Sequence, residues 1–136
     1  MIEQDGVAVP ISQALIIDDD PAIRRISQIS LTRVAKWDVL VAASGPEGIG
    51  LLNNKIDVVL LDVMMPGMDG PTTLAQIKKS EFGRVPVIFI TAKVMQHEVE
   101  QYLALGAAGV ICKPFDPVTL ANQVSVIVDS WIGSAT

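Results

Sequence analysis

Five short apolar runs, each followed by a segment with helical character, constrain the fold of this chain more than any other feature. The runs are ALIID (14–18), WDVLVAA (37–43), DVVLLD (57–62), VPVIFIT (85–91) and AGVICK (108–113). Continuous apolar runs of this length are typical of strands that are buried on both faces of a parallel sheet. We therefore interpret each run as one strand.

Proline or capping residues mark the starts of four helical segments: Asp20 before Pro21, Ser44 before Pro46, Pro71, and Asp116 before Pro117. A further segment begins at Met95. Apolar residues at roughly helical spacing follow in three of these segments: Ile23, Ile26, Ile29 and Val34; then Val99 and Leu103, with Gly106 as a stop signal; then Leu120, Val124, Ile127 and Val128. Strands that alternate with helices predict an α/β fold, a doubly wound (βα)₅ unit with a five-stranded parallel sheet.

Length and charge limit the classes of protein that the chain can represent. Its 136 residues suit one domain, half of them are hydrophobic, and the net charge of −5 argues against direct nucleic-acid binding. Residues 1–13 lack the features of a signal peptide, and the apolar runs are too short to span a membrane. The single cysteine, Cys112, excludes a disulfide within the chain. We expect a cytoplasmic domain without membrane contact.

Polar residues stand where four of the predicted strands end. Asp18 and Asp19 follow the first strand, Asp62 ends the third, Thr91 ends the fourth and Lys113 ends the fifth. Because the carboxyl ends of parallel strands lie along one edge of the sheet, we expect these side chains to converge there.

Three converging carboxylates require a positive charge to offset their repulsion, and Mg²⁺ prefers such oxygen ligands. With a lysine and a hydroxyl nearby, the set indicates a phosphoryl-transfer site in which a carboxylate can be the nucleophile. Asp20 alone has a plainer interpretation as a helix N-cap. Nucleotide binding is disfavoured because neither G-x-G-x-x-G nor G-x-x-x-x-G-K-[ST] occurs.

Four motifs, LIIDDDP, VVLLDVMMPGMDG, VIFITA and GAAGVICKPF, resemble in order and spacing the receiver domain of two-component response regulators, the CheY-like superfamily. The resemblance covers residues 13–130 and leaves 1–12 and 131–136 as short terminal segments. It implies a flavodoxin-like fold that acts as a phosphorylatable signalling switch rather than as an enzyme with an external substrate.

The resemblance also implies residue roles. Asp62 would accept a phosphoryl group from a histidine kinase or a histidine phosphotransfer protein. Asp19 would bind Mg²⁺ directly, Asp18 mainly through water, and the backbone carbonyl of Met64 would be a further ligand. Lys113 would contact the phosphoryl group and precede a cis peptide bond to Pro114. Thr91 would move to hydrogen-bond the phosphoryl oxygens, and Pro66 and Gly70 would supply turn geometry in the loop after Asp62.

Signalling would then reach the face formed by the fourth helix, fifth strand and fifth helix, which would bind a downstream protein, an output domain of the same protein or a second copy. Val110 stands where the family often has Tyr or Phe, and we interpret it as an ordinary strand residue. Met64 and Lys93 would flank the path of the water that hydrolyses the phosphoryl group.

Two other functions remain open at this point: a metal-dependent phosphatase with an aspartyl nucleophile, and a receiver-like scaffold that is not phosphorylated. Three further residues receive plain interpretations. We expect Cys112 in the core and His97 in solvent, and Trp131, together with Ile132, either as a lid on the core or as a contact surface.

Overall fold

In the computed structural model, which describes residues 10–92 and 95–134, strands and helices alternate along the chain. The strands are β1 (Gln13–Ile17), β2 (Asp38–Ala42), β3 (Val58–Asp62), β4 (Val87–Thr91) and β5 (Gly109–Cys112). The helices are α1 (Pro21–Arg33), α2 (Gly45–Leu51), α3 (Gly70–Lys79), α4 (Gln96–Ala104) and α5 (Leu120–Ser134). The predicted (βα)₅ architecture is confirmed.

All strand pairings are parallel, and the sheet order is β2-β1-β3-β4-β5. The chain runs outward from β1 to β2 and then crosses to β3 on the other side of β1. The strand order therefore reverses between β1 and β3, and the crevice beyond their carboxyl ends is where open α/β sheets bind ligands.

The two faces of the sheet each carry an apolar core, because successive strand residues point to opposite faces. On one face Ile16, Leu60 and Ile88 pack with residues of α1 and α5, including Leu31 and Val124. The other face carries its own cluster, which joins the sheet to α2, α3 and α4: Leu15, Leu61, Phe89, Leu74 and Ile77, with Tyr102 packed against them. All of these core residues except Tyr102 are buried.

Helix α1 packs against the sheet through residues other than Ile26 and Ile29. Ile26 and Ile29 are exposed, as is Val34, whereas Ser27, Ser30 and Leu31 are buried. The Ser30 hydroxyl donates a hydrogen bond to the Pro117 carbonyl, so a small polar residue holds α1 against the turn that leads into α5.

The fifth helix begins at Leu120 rather than at Pro117, which corrects the predicted start. The Asp116 carboxylate accepts the Val118 N–H at 2.9 Å, and the Asp116 carbonyl accepts the N–H groups of Thr119 and Leu120. These bonds form a turn before the regular helix. The predicted apolar stripe is confirmed for Leu120, Val124 and Val128, which are buried.

Cys112 is exposed, so its predicted place in the core is wrong. It is the last residue of β5, an edge strand, and lies on the opposite face of the sheet from the buried Ile111. His97 is exposed as expected, whereas Trp131 and Ile132 are half-buried, with Ile132 packed against the core.

Candidate functional site

Three strands bring three charged side chains together at the carboxyl edge of the sheet. Asp18 follows β1, Asp62 is the last residue of β3, and Lys113 follows β5. The Lys113 ammonium lies 2.9 Å from Asp18 Oδ2 and 3.2 Å from Asp62 Oδ1. One cation thus bridges two carboxylates that are 44 positions apart in the chain.

Burial changes the pKa values of charged side chains at this site. Asp18 and Asp62 are only 2% and 6% exposed. Burial raises the pKa of Asp62 from 3.8 to about 6, the negative charge of Asp18 adds to this rise, and Lys113 opposes it. Burial alone would lower the pKa of Lys113, but hydrogen bonding and attraction from Asp18 and Asp62 raise it above 10.5. At neutral pH Lys113 is therefore charged, and Asp62, with a pKa of about 6, is largely ionised.

The acidic loop is held by contacts that orient Asp18. The Asp20 N–H donates to Asp18 Oδ1 at 2.9 Å, and Asp20 itself caps α1 by accepting the Ala22 N–H at 2.9 Å, as predicted. Arg24 donates from Nη1 to the Asp18 carbonyl at 2.7 Å. Sequence reasoning missed Arg24, although a residue four positions after the N-cap lies one helical turn on and can reach back to the preceding strand.

Gly70 packs against the backbone of Asp62 and Val63. A Cβ atom at Gly70 would lie 2.5 Å from the Asp62 carbonyl oxygen and 2.8 Å from Val63 Cα, and the Gly70 N–H donates to the Val63 carbonyl. Only glycine permits this close approach. The left-handed turn in the loop is formed by Gly67, at φ +77°, so the expected turn role of Gly70 is corrected.

The carboxylates also fit a divalent cation. Asp18, Asp19 and Asp62 each offer an oxygen, and the three atoms lie within 4.8 Å of one another. Such a set of hard oxygen donors, with Asp19 exposed to solvent, suits Mg²⁺, which retains several water ligands. The Met64 side chain is 79% exposed.

The remaining predicted site residues lie along the same edge. Thr91 ends β4, is 5% exposed and pairs in register with Cys112. The Lys113 N–H donates to the Thr91 carbonyl at 2.9 Å, and the Lys113–Pro114 bond is cis, as expected. Val110 is a half-buried β5 residue opposite Phe89, whereas Lys93 lies outside the described residues.

A family model described as the response regulator receiver domain matches residues 14–125, most of the chain. The chain belongs to the response regulator receiver family. The match covers β2 to β5, all of β1 except Gln13, and the beginning of α5. It confirms the predicted family and, with the acid–lysine site, confirms a signalling domain of this class; nothing supports the phosphatase or the scaffold.

Relatives of this receiver domain include the response regulator SaeR of Staphylococcus aureus, which is 35% identical over 111 residues, 82% of this chain and 48% of SaeR. The chain therefore spans about half the length of the curated relatives that it matches. Vibrio cholerae chemotaxis protein CheY4 has a TM-score of 0.78 at 28% identity and covers 86% of this chain and 98% of its own.

The non-phosphorylated receiver domain of HemR from Leptospira biflexa has a TM-score of 0.76 at 27% identity, covering 86% of this chain and 94% of its own. These likenesses confirm the flavodoxin-like, CheY-like fold. No helix in residues 10–92 and 95–134 is long and apolar enough to cross a membrane.

Proposed function

We propose that this receiver domain accepts a phosphoryl group on Asp62 in a Mg²⁺-dependent reaction and switches conformation in a phosphorelay. One observation carries the proposal: Lys113 bridges Asp18 and Asp62 beside a third carboxylate, so that an acceptor, a fixed cation and oxygen ligands for a metal share one point. We assign this function to a domain that covers residues 13–130.

In the transfer, a carboxylate oxygen of Asp62 forms a bond to phosphorus as the bond from phosphorus to the donor breaks, and the donor leaves with its electron pair. The Lys113 ammonium already lies 3.2 Å from Asp62 Oδ1. It therefore needs to move only a short distance to contact a phosphoryl oxygen on Asp62.

Asp18 and Asp19, with Asp62 and the Met64 carbonyl, would hold the cation. Bound Mg²⁺ would neutralise charge on the phosphoryl oxygens. Asp18 is already engaged by Lys113 and the Asp20 N–H, which favours contact through water, whereas the exposed Asp19 is open to direct ligation.

For the phosphodonor, a histidine kinase or a histidine phosphotransfer protein, we propose a docking surface beside the site, the α1 face, formed by Ile26, Ile29 and Val118. All three side chains are exposed, and the Ser30–Pro117 hydrogen bond joins α1 to the turn that carries Val118. Helix α1 begins shortly after Asp18 and Asp19, and the turn that carries Val118 follows Lys113. Both segments thus leave the carboxyl edge beside Asp62, so a donor seated on them can present its histidine to that carboxylate.

For the output, we propose that Thr91 hydrogen-bonds the phosphoryl oxygens and that the change reaches α4, β5 and α5. Leu103, Leu105 and Val126 are exposed on these elements or at their ends, and they offer contacts to a downstream protein, an output domain or a second copy. A cytoplasmic location is part of the proposal and rests on the family.

The experiment is incubation of the full chain with acetyl phosphate, with and without Mg²⁺, followed by intact-mass measurement. We expect a gain of one phosphoryl group that requires Mg²⁺ and is absent in Asp62→Asn. The matched control is Asp38→Asn, which removes an exposed carboxylate on β2 and should gain phosphate like the parent. A gain that persists in Asp62→Asn would place the acceptor elsewhere.

A further inference from the structure

A cavity lies at the opposite end of the sheet from Asp62. It has a volume of about 660 Å³ and is bordered by the segments that precede β1, β3 and β4 and by the end of α5. We call it the lower cleft and define it by Ile56, Lys78, Phe82, Arg84 and Trp131. Its volume falls in the range of small-molecule sites, about 300–1,000 Å³.

The cleft combines apolar walls with aromatic rings. Ile56 and Val85 line it as buried residues, and Phe82 and Trp131 line it as half-buried rings. Small-molecule sites are typically built in this way, with a few polar groups set into an apolar and aromatic lining. The cleft therefore offers flat surfaces to a ring-bearing molecule.

Of the residues that the structure describes, Lys78 is one of two cations that line the cleft. The ammonium lies 5.4 Å from the centroid of the Trp131 ring, and no carboxylate of the described residues forms a salt bridge with it. Partial burial lowers the pKa of Lys78. A Cβ atom at Gly106 would lie 3.0 Å from Lys78 Cε, so the lysine stem is held against that glycine.

Within the described part of the chain, none of the other charged groups of the cleft forms a salt bridge with Lys78. Asp57 is engaged by the Ser12 N–H and hydroxyl and the Gln13 N–H, at 2.8–3.1 Å. Arg84 adds a second cation at the exposed rim, where Glu81 supplies an exposed carboxylate. Inside the cleft, an anion can pair with Lys78, whereas the carboxylates of Asp57 and Glu81 would repel it.

We propose that the lower cleft binds a small planar organic anion whose carboxylate or sulfonate pairs with Lys78 and whose ring packs against Phe82 and Trp131. The partly buried ammonium of Lys78 supplies specificity for the charge, and the aromatic lining supplies area for the ring. The site is independent of phosphorylation at Asp62.

The test uses the full chain and two fluorescent probes, 1-anilinonaphthalene-8-sulfonate and its uncharged analogue N-phenyl-1-naphthylamine. We expect the sulfonate to bind at one site and Lys78→Gln to weaken it about tenfold, since a charge-assisted contact is lost. Lys79→Gln, the exposed neighbour on α3 outside the cleft, should leave affinity unchanged. The uncharged probe should bind both variants equally.

Backbone amide shifts of the parent protein give a readout that does not depend on the variants. The sulfonate should shift the amides of residues 82–85 and 131–132. Absence of binding, equal effects of Lys78→Gln and Lys79→Gln, or shifts confined to the shallower pocket at Val110 and Ile127 would each overturn the proposal.

Discussion

Helices α3 and α4 cover the same face of the sheet but are attached to it very differently. Helix α3 buries Leu74 and Ile77 almost completely and begins with an Asp69 cap that accepts the Thr72 N–H at 2.9 Å. Helix α4 has no buried residue and no side-chain cap at Met95. One of its contacts with the sheet is the tilted pair of Tyr102 and Phe89, whose ring centroids lie 4.9 Å apart.

The two helices follow strands that carry different residues of the site. Helix α3 comes after the Asp62 strand, and its first residue, Gly70, packs directly behind Asp62. Helix α4 comes after the Thr91 strand. An element with little buried surface can shift at small energetic cost, whereas a deeply packed one cannot. The acceptor thus lies beside the firmly packed α3, whereas α4, one element of the proposed output surface, has little buried surface to hold it in place.

The largest expected effect is the difference in stability between two matched leucine-to-alanine substitutions, one on α3 and one on α4. Leu74→Ala on α3 should lower the free energy of unfolding by about 2–5 kcal/mol, because it empties a fully buried site. Leu103→Ala on α4 should change it by less than about 0.5 kcal/mol, because Leu103 is 45% exposed. Urea unfolding of both variants measures the contrast, and equal losses would break it.

The second prediction concerns the electrostatic cost of the acceptor in the absence of Mg²⁺. The pKa of Asp62 is raised from 3.8 to about 6 in the folded state, so its contribution to stability is favourable below pH 3.8 and is lost as the pH rises through 6. Asp62→Asn should therefore stabilise the protein above pH 6, by about 1–3 kcal/mol at pH 7.5, and have little effect near pH 4.

Denaturant unfolding of the parent and Asp62→Asn at the two pH values provides the measurement. Asp38→Asn is the control, because that carboxylate is exposed and should show no comparable gain. A stabilisation by Asp62→Asn that does not vary between pH 4 and pH 7.5 would contradict the assigned cause.

The smallest predicted difference lies at the two helix starts. Asp69→Ala should cost about 1 kcal/mol through loss of the cap. Met95→Ala removes no capping bond and should change stability by less than about 0.5 kcal/mol. Thermal unfolding of the two variants checks this, and the contrast would fail if Met95→Ala were the more damaging change.

The strands and the convergence of Asp18, Asp62 and Lys113 were accessible from sequence, because continuous apolar runs report burial directly and parallel topology gathers strand ends. The packing of α1 was not accessible. Ser30 is buried because the Pro117 carbonyl accepts its hydroxyl, and that partner is 87 residues away. Such a pairing leaves no periodic signal along the chain.

Other departures have local causes that also depend on tertiary structure. Cys112 stands in an apolar run that is typical of a buried strand, but β5 is an edge strand, and Cys112 at its end is exposed. Arg24 has an ordinary place in an exposed helix turn, and only the position of the Asp18 carbonyl makes it part of the site. The close approach at Gly70 depends on the strand that lies behind it.

The most direct test of the central claim is to trap the acyl phosphate chemically. The full chain is treated with acetyl phosphate and Mg²⁺, reduced with borohydride and digested for peptide mass spectrometry, because reduction converts a phosphorylated aspartate to homoserine. We predict conversion at position 62 alone. Conversion at position 18, 19 or 57 instead, or at no aspartate despite phosphoryl gain, would contradict the assignment of Asp62 as the acceptor.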